Sequence, residues 1–497
     1  MSQYILAIDQ GTTSSRAIIF NRYGESISQH QIDLSQFFPE PGWVEQDPEE
    51  IWHNTVECCR EAIRKSPLSA KDIAAVGITN QRETTIIWDK KTGKPISRAI
   101  VWQDRRSADI CRALAELPIS SVVQEKTGLL LDPYFSATKI IWLLENIFQA
   151  REQAEKGELA FGTVDTFLLW RLTEGKAHIT DATNASRTLL FNIKTQEWDE
   201  ELLQAFHIPR SLLPEVYDSS AYFGDMSESI LGKKIPITGI AGDQQAATIG
   251  QACFHSGMIK TTYGTGCFML LNTGSKLIRS THRLIGTVVY RLKGKVVYGL
   301  EGSIFSAGAT IKWLRDALKL IKSAVETETL SKCVQDTGGV YFVPGFTGLG
   351  APYWDPDARG AILGLTRDSG IEHIARAALE AVCFQTRDLL EAMQMDSPTH
   401  LEIMRVDGGM VANNWMLQFL SDILKIEVQR PLCYETTALG AAYLAGLEAG
   451  IYQSLDEISA LWQMDAQFTP HVLEPDCDIL YAGWKRAVSR VLTTSSA

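Results

Sequence analysis

Two short segments carry the residue types that grip phosphate. The first is Asp9-Gln-Gly11-Thr-Thr-Ser-Ser-Arg16 and the second is Tyr263-Gly264-Thr265-Gly266. Glycine lets a backbone approach closely and reach positive φ. Successive backbone N–H groups in such turns form anion-binding concavities. Thr12, Thr13, Ser14 and Ser15 add hydroxyl donors, and Arg16 adds a fixed cation suited to phosphate oxygens. Asp9 ends an apolar run, where a carboxylate is placed to hold Mg²⁺ through water. A third signal, Asp407-Gly408-Gly409 ahead of Asn413, would let a flat ring lie against the backbone; locally an ordinary helix-opening turn is the better reading. Either hairpin alone reads better as a turn joining two strands. Only the pair, facing each other across a cleft, speaks for a phosphate clamp. No G-x-x-x-x-G-K-[ST], no G-x-G-x-x-G and no protein-kinase H-R-D or D-F-G occurs, so those nucleotide sites are excluded.

The elements that must position these residues alternate. Apolar runs of strand length fall at 4–8, 17–20, 73–78, 84–88, 236–240, 296–298, 340–343, 403–406 and 426–429. Helical patterns fall at 48–64, 136–146, 244–252, 307–318, 371–392, 413–424 and 437–449. The pattern predicts an α/β fold. Within 371–392, Ile374, Ala377, Ala378, Ala381 and Val382 form a stripe at helical spacing. The strand–turn–strand around Gly11 is echoed about half a chain later around Gly264. A duplicated domain would leave that echo, and so would two unrelated hairpins.

At 497 residues the chain exceeds the about 250–300 at which single cores stop growing, so two domains are expected. With 47 basic and 59 acidic side chains the formal charge is −12, which disfavours nucleic acid or an anionic membrane surface as partner. The N-terminus lacks a basic signal-peptide region, and 337–354, though uncharged, is broken by five Gly and two Pro, so no span is expected. Nine scattered Cys without a C-x-x-C suggest reduced thiols and a cytoplasmic location.

Nine motifs in order then carry a resemblance. They are Asp9–Arg16, Thr79-Asn-Gln-Arg82-Glu83-Thr84, Trp102-Gln-Asp-Arg-Arg106, Tyr134-Phe-Ser-Ala-Thr-Lys139-Ile-Ile-Trp142 and Asp181-Ala-Thr-Asn-Ala-Ser-Arg187. Gly242-Asp243-Gln244-Gln245, Tyr263–Gly266, Asp407–Gly409 and Glu435-Thr-Thr-Ala-Leu-Gly440-Ala-Ala complete the set. The chain resembles the FGGY carbohydrate kinases nearly end to end. The resemblance implies two actin-like (ribonuclease H-like) α/β domains with the active site in the cleft between them. Residues 1–250 would bind the polyol and carry the first phosphate hairpin; residues 251–497 would carry the second and the adenosine site.

The implied reaction moves the γ-phosphoryl of ATP to a terminal hydroxyl of glycerol, with Mg²⁺. An alcohol is a weak nucleophile, so a carboxylate should accept its proton. Asp243 matches the family's base and, with Asp9, its metal-side carboxylates; read locally, Asp243 between a strand and a helix is equally an N-cap. Arg82, Glu83, Tyr134 and Gln244 match the glycerol-binding set, with Trp102 and Phe268 as an apolar wall. Thr12, Thr13, Ser14, Arg16, Thr265, Gly266, Gly308, Gly409 and Asn413 match the nucleotide-binding set. The Thr79–Thr84 segment is the main pointer to glycerol rather than a sugar. Lys312 stands where relatives often carry Gln, which removes an acceptor. Leu231-Gly232-Lys233-Lys234 lacks the glycines that wrap fructose 1,6-bisphosphate in some members, and no His lies between Ala221 and Ile240 for phospho-activation. Homodimers or homotetramers are implied by the resemblance alone. Alternatives are a kinase for another small polyol or sugar, and a non-catalytic actin-like ATP-binding module.

Overall fold

The structure is a computed structural model that describes residues 3–397, 401, 403–471 and 474–493. It is built on two large mixed sheets. The first contains β1 (Tyr4–Gln10), β2 (Ser14–Phe20), β3 (Ser26–Asp33), β4 (Ile73–Asn80), β5 (Ser220–Met226) and β6 (Ile235–Gly242), in the order β5-β6-β4-β1-β2-β3. The second contains β7 (Ile259–Tyr263), β8 (Cys267–Gly274), β9 (Ile285–Leu292), β10 (Lys295–Ile304), β11 (Ile403–Asp407), β12 (Glu427–Pro431) and β13 (Met464–Phe468), in the order β9-β10-β8-β7-β11-β12-β13.

The two sheets share one plan. In the first, β3, β2 and β1 run antiparallel, β1, β4 and β6 run parallel, and β5 closes the edge antiparallel. In the second, β10, β8 and β7 take the antiparallel places, β7, β11 and β12 the parallel ones, and β13 the antiparallel edge. The sequence echo is therefore a topological repeat, with β9 added outside β10. The parallel strands are buried and read as near-continuous apolar runs, such as Ile5–Ile8 and Val76–Ile78.

Helices α1 (Pro48–Lys65), α2 (Ser136–Asn146), α3 (Asp243–Gly250), α4 (Gly308–Asp316), α5 (Ile371–Asp396), α6 (Asn414–Leu424) and α7 (Thr436–Glu448) frame the sheets. Asp47 caps α1, with Pro48 at its first position and acidic residues in its first turn. Ala377, Ala378, Ala381 and Val382 of α5 are buried and Ile374 is half-buried, as the stripe required.

One core cluster joins the halves. It takes Ile5, Ala7, Ile18 and Phe20 from the first sheet, Leu270 and Val289 from the second, and Ala438, Ala442 and Leu444 from α7. Helix α7 follows the second sheet's β12 in the chain yet packs on β4 and β6 of the first. It crosses α3 at a glycine pair: a Cβ on Gly440 would strike the carbonyl of Ala246, and one on Gly250 the carbonyl of Thr436. Only residues without a Cβ allow this approach. Among the described residues no helix is long and apolar enough to cross a membrane.

Candidate active site

A cavity of ≈ 760 Å³ opens between the sheets. Both glycine hairpins reach it. Gly11 N–H donates to the Ser14 carbonyl at 2.9 Å, which tightens the first turn. Gln46 Nε2 donates to the Thr12 carbonyl at 2.6 Å and pins the loop from outside. Thr12 and Thr13 then face the cavity. In the second turn Gly264 N–H donates to the Gly266 carbonyl at 2.9 Å. The start of α4 braces it, with Gly308 N–H donating to Gly264 and Ala309 N–H to Thr265. Thr265, Gly266 and Gly308 line the wall.

Asp9, Ser14 and Arg16 do not line it among the described residues. Arg16 lies directly opposite Asp9 in the β1/β2 pairing, so its guanidinium meets that carboxylate at 2.6 Å. It also meets Glu435, just before α7, at 2.6 Å. The cation expected to face phosphate is thus engaged in a bridge between the two halves. Ser14 shares the Arg16 face of β2 by strand alternation.

The residues expected to face the polyol form a more buried end. Arg82 and Glu83 leave β4 in a tight turn, with Thr84 N–H bonded to the Arg82 carbonyl and Glu83 at φ 49°. That left-handed conformation is uncommon for a residue with a Cβ. Ser136 Oγ and Thr85 Oγ1 donate to the Glu83 carbonyl and hold it. Tyr134 precedes α2. The buried ammonium of Lys139, one helical turn on, donates to the carbonyls of Pro133, Tyr134 and Phe135. Trp102 meets Tyr134 edge-on at 5.5 Å and Phe268 at 6.1 Å, which makes the expected apolar wall. Trp102 Nε1 also donates to Thr12 Oγ1 at 2.9 Å, so the wall is tied to the first phosphate hairpin.

Asp243 is not the N-cap of α3; Gly242 holds that place and Asp243 is the first helical residue. Its side chain is 32% exposed, toward the cavity it lines. Oδ1 accepts from Gln244 N–H at 2.7 Å and lies 3.2 Å from Arg82 Nε. Burial pushes the carboxyl above the ordinary aspartate range, against the pull of Arg82 and Lys260.

Three residues to which the sequence assigned no role complete the charge balance. Glu301 on β10 accepts from Arg82 Nη1 at 2.5 Å and Nη2 at 3.0 Å. Arg187 donates to Glu83 at 2.6 Å and to Glu301 at 3.0 Å. Lys260 on β7 donates to Gln244 Oε1 at 2.6 Å. All three are fully buried. Three cations (Arg82, Arg187, Lys260) meet three carboxylates (Glu83, Asp243, Glu301), which is what makes burial tolerable. Burial would raise Glu301, but Arg187 and Arg82 overcome it and hold the carboxyl down to about 2. The signal in the sequence was a lone charge within the apolar part of each strand, and Arg187 at the end of the motif Asp181–Arg187, where Asp181 caps a short helix.

At the other end lie Gly409 and Asn413. A Cβ on Gly409 would meet nothing within 4 Å, so that backbone stands open to the cavity. Asn413 caps α6 through Met416 N–H at 2.9 Å while lining the wall. Lys312 and Arg315 of α4 line it too.

Among the described residues no group of three or more His, Cys, Asp or Glu could cage a metal. Asp9 and Asp243 crown the ends of β1 and β6, on either side of β4. Two carboxylates of this kind suit Mg²⁺, which keeps several waters and takes phosphate oxygens as ligands.

Comparison with known proteins agrees over the whole chain. Residues 4–250 match the FGGY family of carbohydrate kinases, N-terminal domain, and residues 259–449 its C-terminal domain. Glycerol kinase of Marinomonas sp. (strain MWYL1) is 60% identical over 493 residues, 99% of this chain and 100% of that one. The crystal structure of Plasmodium falciparum glycerol kinase with ADP is 39% identical with a TM-score of 0.92, over 99% of both chains. Ligand-bound xylulose kinase from Lactobacillus acidophilus, 22% identical with a TM-score of 0.88 over 99% of both chains, shares the fold.

Proposed function

The chain belongs to the FGGY family of carbohydrate kinases, and on that premise we propose that it transfers the γ-phosphoryl of ATP to a terminal hydroxyl of glycerol. The products are ADP and sn-glycerol 3-phosphate. The observation that carries this reading is the convergence in one cavity of Asp243, Arg82 and Glu83 with both glycine hairpins.

Glycerol presents three hydroxyls on a short apolar chain. Arg82 donates and Glu83 accepts, while Trp102 and Phe268 cover the carbons. Asp243 Oδ2 takes the proton of the attacking hydroxyl as its oxygen bonds to the γ-phosphorus and the bond to the β-phosphate bridge oxygen breaks. A carboxyl held above its ordinary range by burial is a better base than a solvated one. The backbone N–H groups of the two hairpins, with Thr12, Thr13 and Thr265, hold the phosphates. Gly409, Gly308 and Asn413 form the adenosine end. Mg²⁺, when bound, neutralises charge on the phosphate oxygens, and Asp9 and Asp243 are the side chains that would hold it. Residues 1–250 serve as the polyol-binding half and 251–497 as the nucleotide half. A homodimer or homotetramer and a cytoplasmic location, which suits nine free cysteines, belong to the same reading.

The test is ADP formation from Mg·ATP with and without glycerol. Turnover should depend strongly on glycerol. A flat response would overturn glycerol as the substrate and direct the search to other polyols and sugars.

A further inference from the structure

Glu301 does not line the cavity, yet it contacts what does. It sits on β10 of the second sheet with its side chain 0% exposed. Flanking Gly299 and Gly302 leave it the only large polar group on that stretch of strand. Its two oxygens take both terminal nitrogens of Arg82 in a forked pair, the geometry that fixes a guanidinium's plane as well as its distance. Oε1 also takes Arg187 Nη2, and Arg187 passes the constraint to Glu83 through its Nε. One carboxylate of the second sheet therefore holds both residues that the first sheet offers to the polyol. The loop needs such a hold, because Glu83 occupies a left-handed conformation that persists only when its surroundings impose it.

We propose that Glu301 is a positioning residue for the polyol: it locks the Arg82–Glu83 pair in its binding geometry from across the cleft, directly and through Arg187. This rests on the glycerol reading above. It separates the two ends of the cavity, since among the described residues the hydrogen bonds of the Glu301 side chain go to Arg82 and Arg187.

The perturbation is Glu301→Asp. It keeps the buried charge and shortens the reach by one methylene, so the forked pair with Arg82 is lost while the charge balance survives. Arg187→Lys is the companion variant; it keeps the cation but cannot bridge Glu301 and Glu83 together. In both, KM for glycerol should rise by about tenfold to hundredfold, the scale of a small misplacement of binding groups, with KM for ATP almost unchanged. Glycerol affinity measured by calorimetry on the nucleotide-free protein should fall in parallel. A lower melting temperature with unmoved glycerol KM and affinity would overturn the positioning role and leave Glu301 as a structural charge. Loss of affinity for ATP and glycerol alike would also overturn it. Wild-type protein without glycerol-dependent turnover would instead remove the functional reading, and this one with it.

Discussion

Asp243→Asn separates the chemical role of this residue from its structural one. In the structure Oδ1 accepts from Gln244 N–H at 2.7 Å and faces Arg82 Nε at 3.2 Å, while the side chain lines the cavity. Asparagine can turn its carbonyl oxygen to the same two donors and place its NH₂ where Oδ2 stands. The start of α3 is then preserved, but no proton acceptor remains. Loss of a positioned general base should lower kcat by about 10²- to 10⁴-fold. The stability effect runs the other way. Burial holds the Asp243 carboxyl above its ordinary range, so ionising it costs the folded state free energy. Its contribution to stability is full below the ordinary aspartate range and is lost as pH rises through the raised value. The Asn variant carries no charge at any pH. At neutral pH it should melt at the same temperature as wild type or higher, and the difference should close toward acid pH. The assays are glycerol-dependent ADP release and thermal unfolding across pH. Near-normal turnover would refute the base assignment. A clear drop in melting temperature would refute the argument that the charge is a burden on the fold.

Other parts of the molecule give independent tests. Gly440→Ala should destabilise by about 1–3 kcal/mol in urea titrations, because its methyl group meets the Ala246 carbonyl. That loss exceeds the about 1 kcal/mol that alanine ordinarily adds to a helix. His178 packs edge-on to Trp88 and Trp170, and burial lowers it to about 4. Because its folded value lies below the unfolded one, wild-type stability should decline as pH falls from about 6.5 toward 4, and His178→Gln should flatten that part of the melting-temperature profile. Fructose 1,6-bisphosphate at physiological concentration should leave turnover unchanged. The 231–234 stretch is a glycine-capped helix end, and the Lys233 ammonium is already bonded to the carbonyls of Lys71 and Ile73.

Local chemistry was legible in the chain because it depends on neighbours in sequence. The glycine hairpins, the apolar runs of the parallel strands and the stripe of α5 all appear where their residues imply. Strands without such runs were not visible. β3 reads Ser-Ile-Ser-Gln-His-Gln-Ile-Asp and is largely solvent-facing; its pairing with β2 makes it a strand. The edge strands β5 and β13 are likewise defined by their partners.

Within the site, residue types suggested a phosphate clamp only for the two hairpins taken together, and family resemblance assigned Thr12, Thr13, Thr265, Gly266 and Gly409 to the nucleotide and Asp243, Arg82 and Glu83 to the polyol. The structure brings these to one cavity and pairs Arg16 with Asp9 and Glu435. It also supplies Lys260 and Glu301, and gives Arg187 of the Asp181–Arg187 motif its partners. A glycine turn or a capped helix is specified by forces acting over a few residues. The pairing of Arg82 with Glu301 spans 219 positions and exists only once two sheets have packed and shut water out. Inside that packing an unpaired charge is too costly to remain, so tertiary burial, not sequence proximity, chooses its partner.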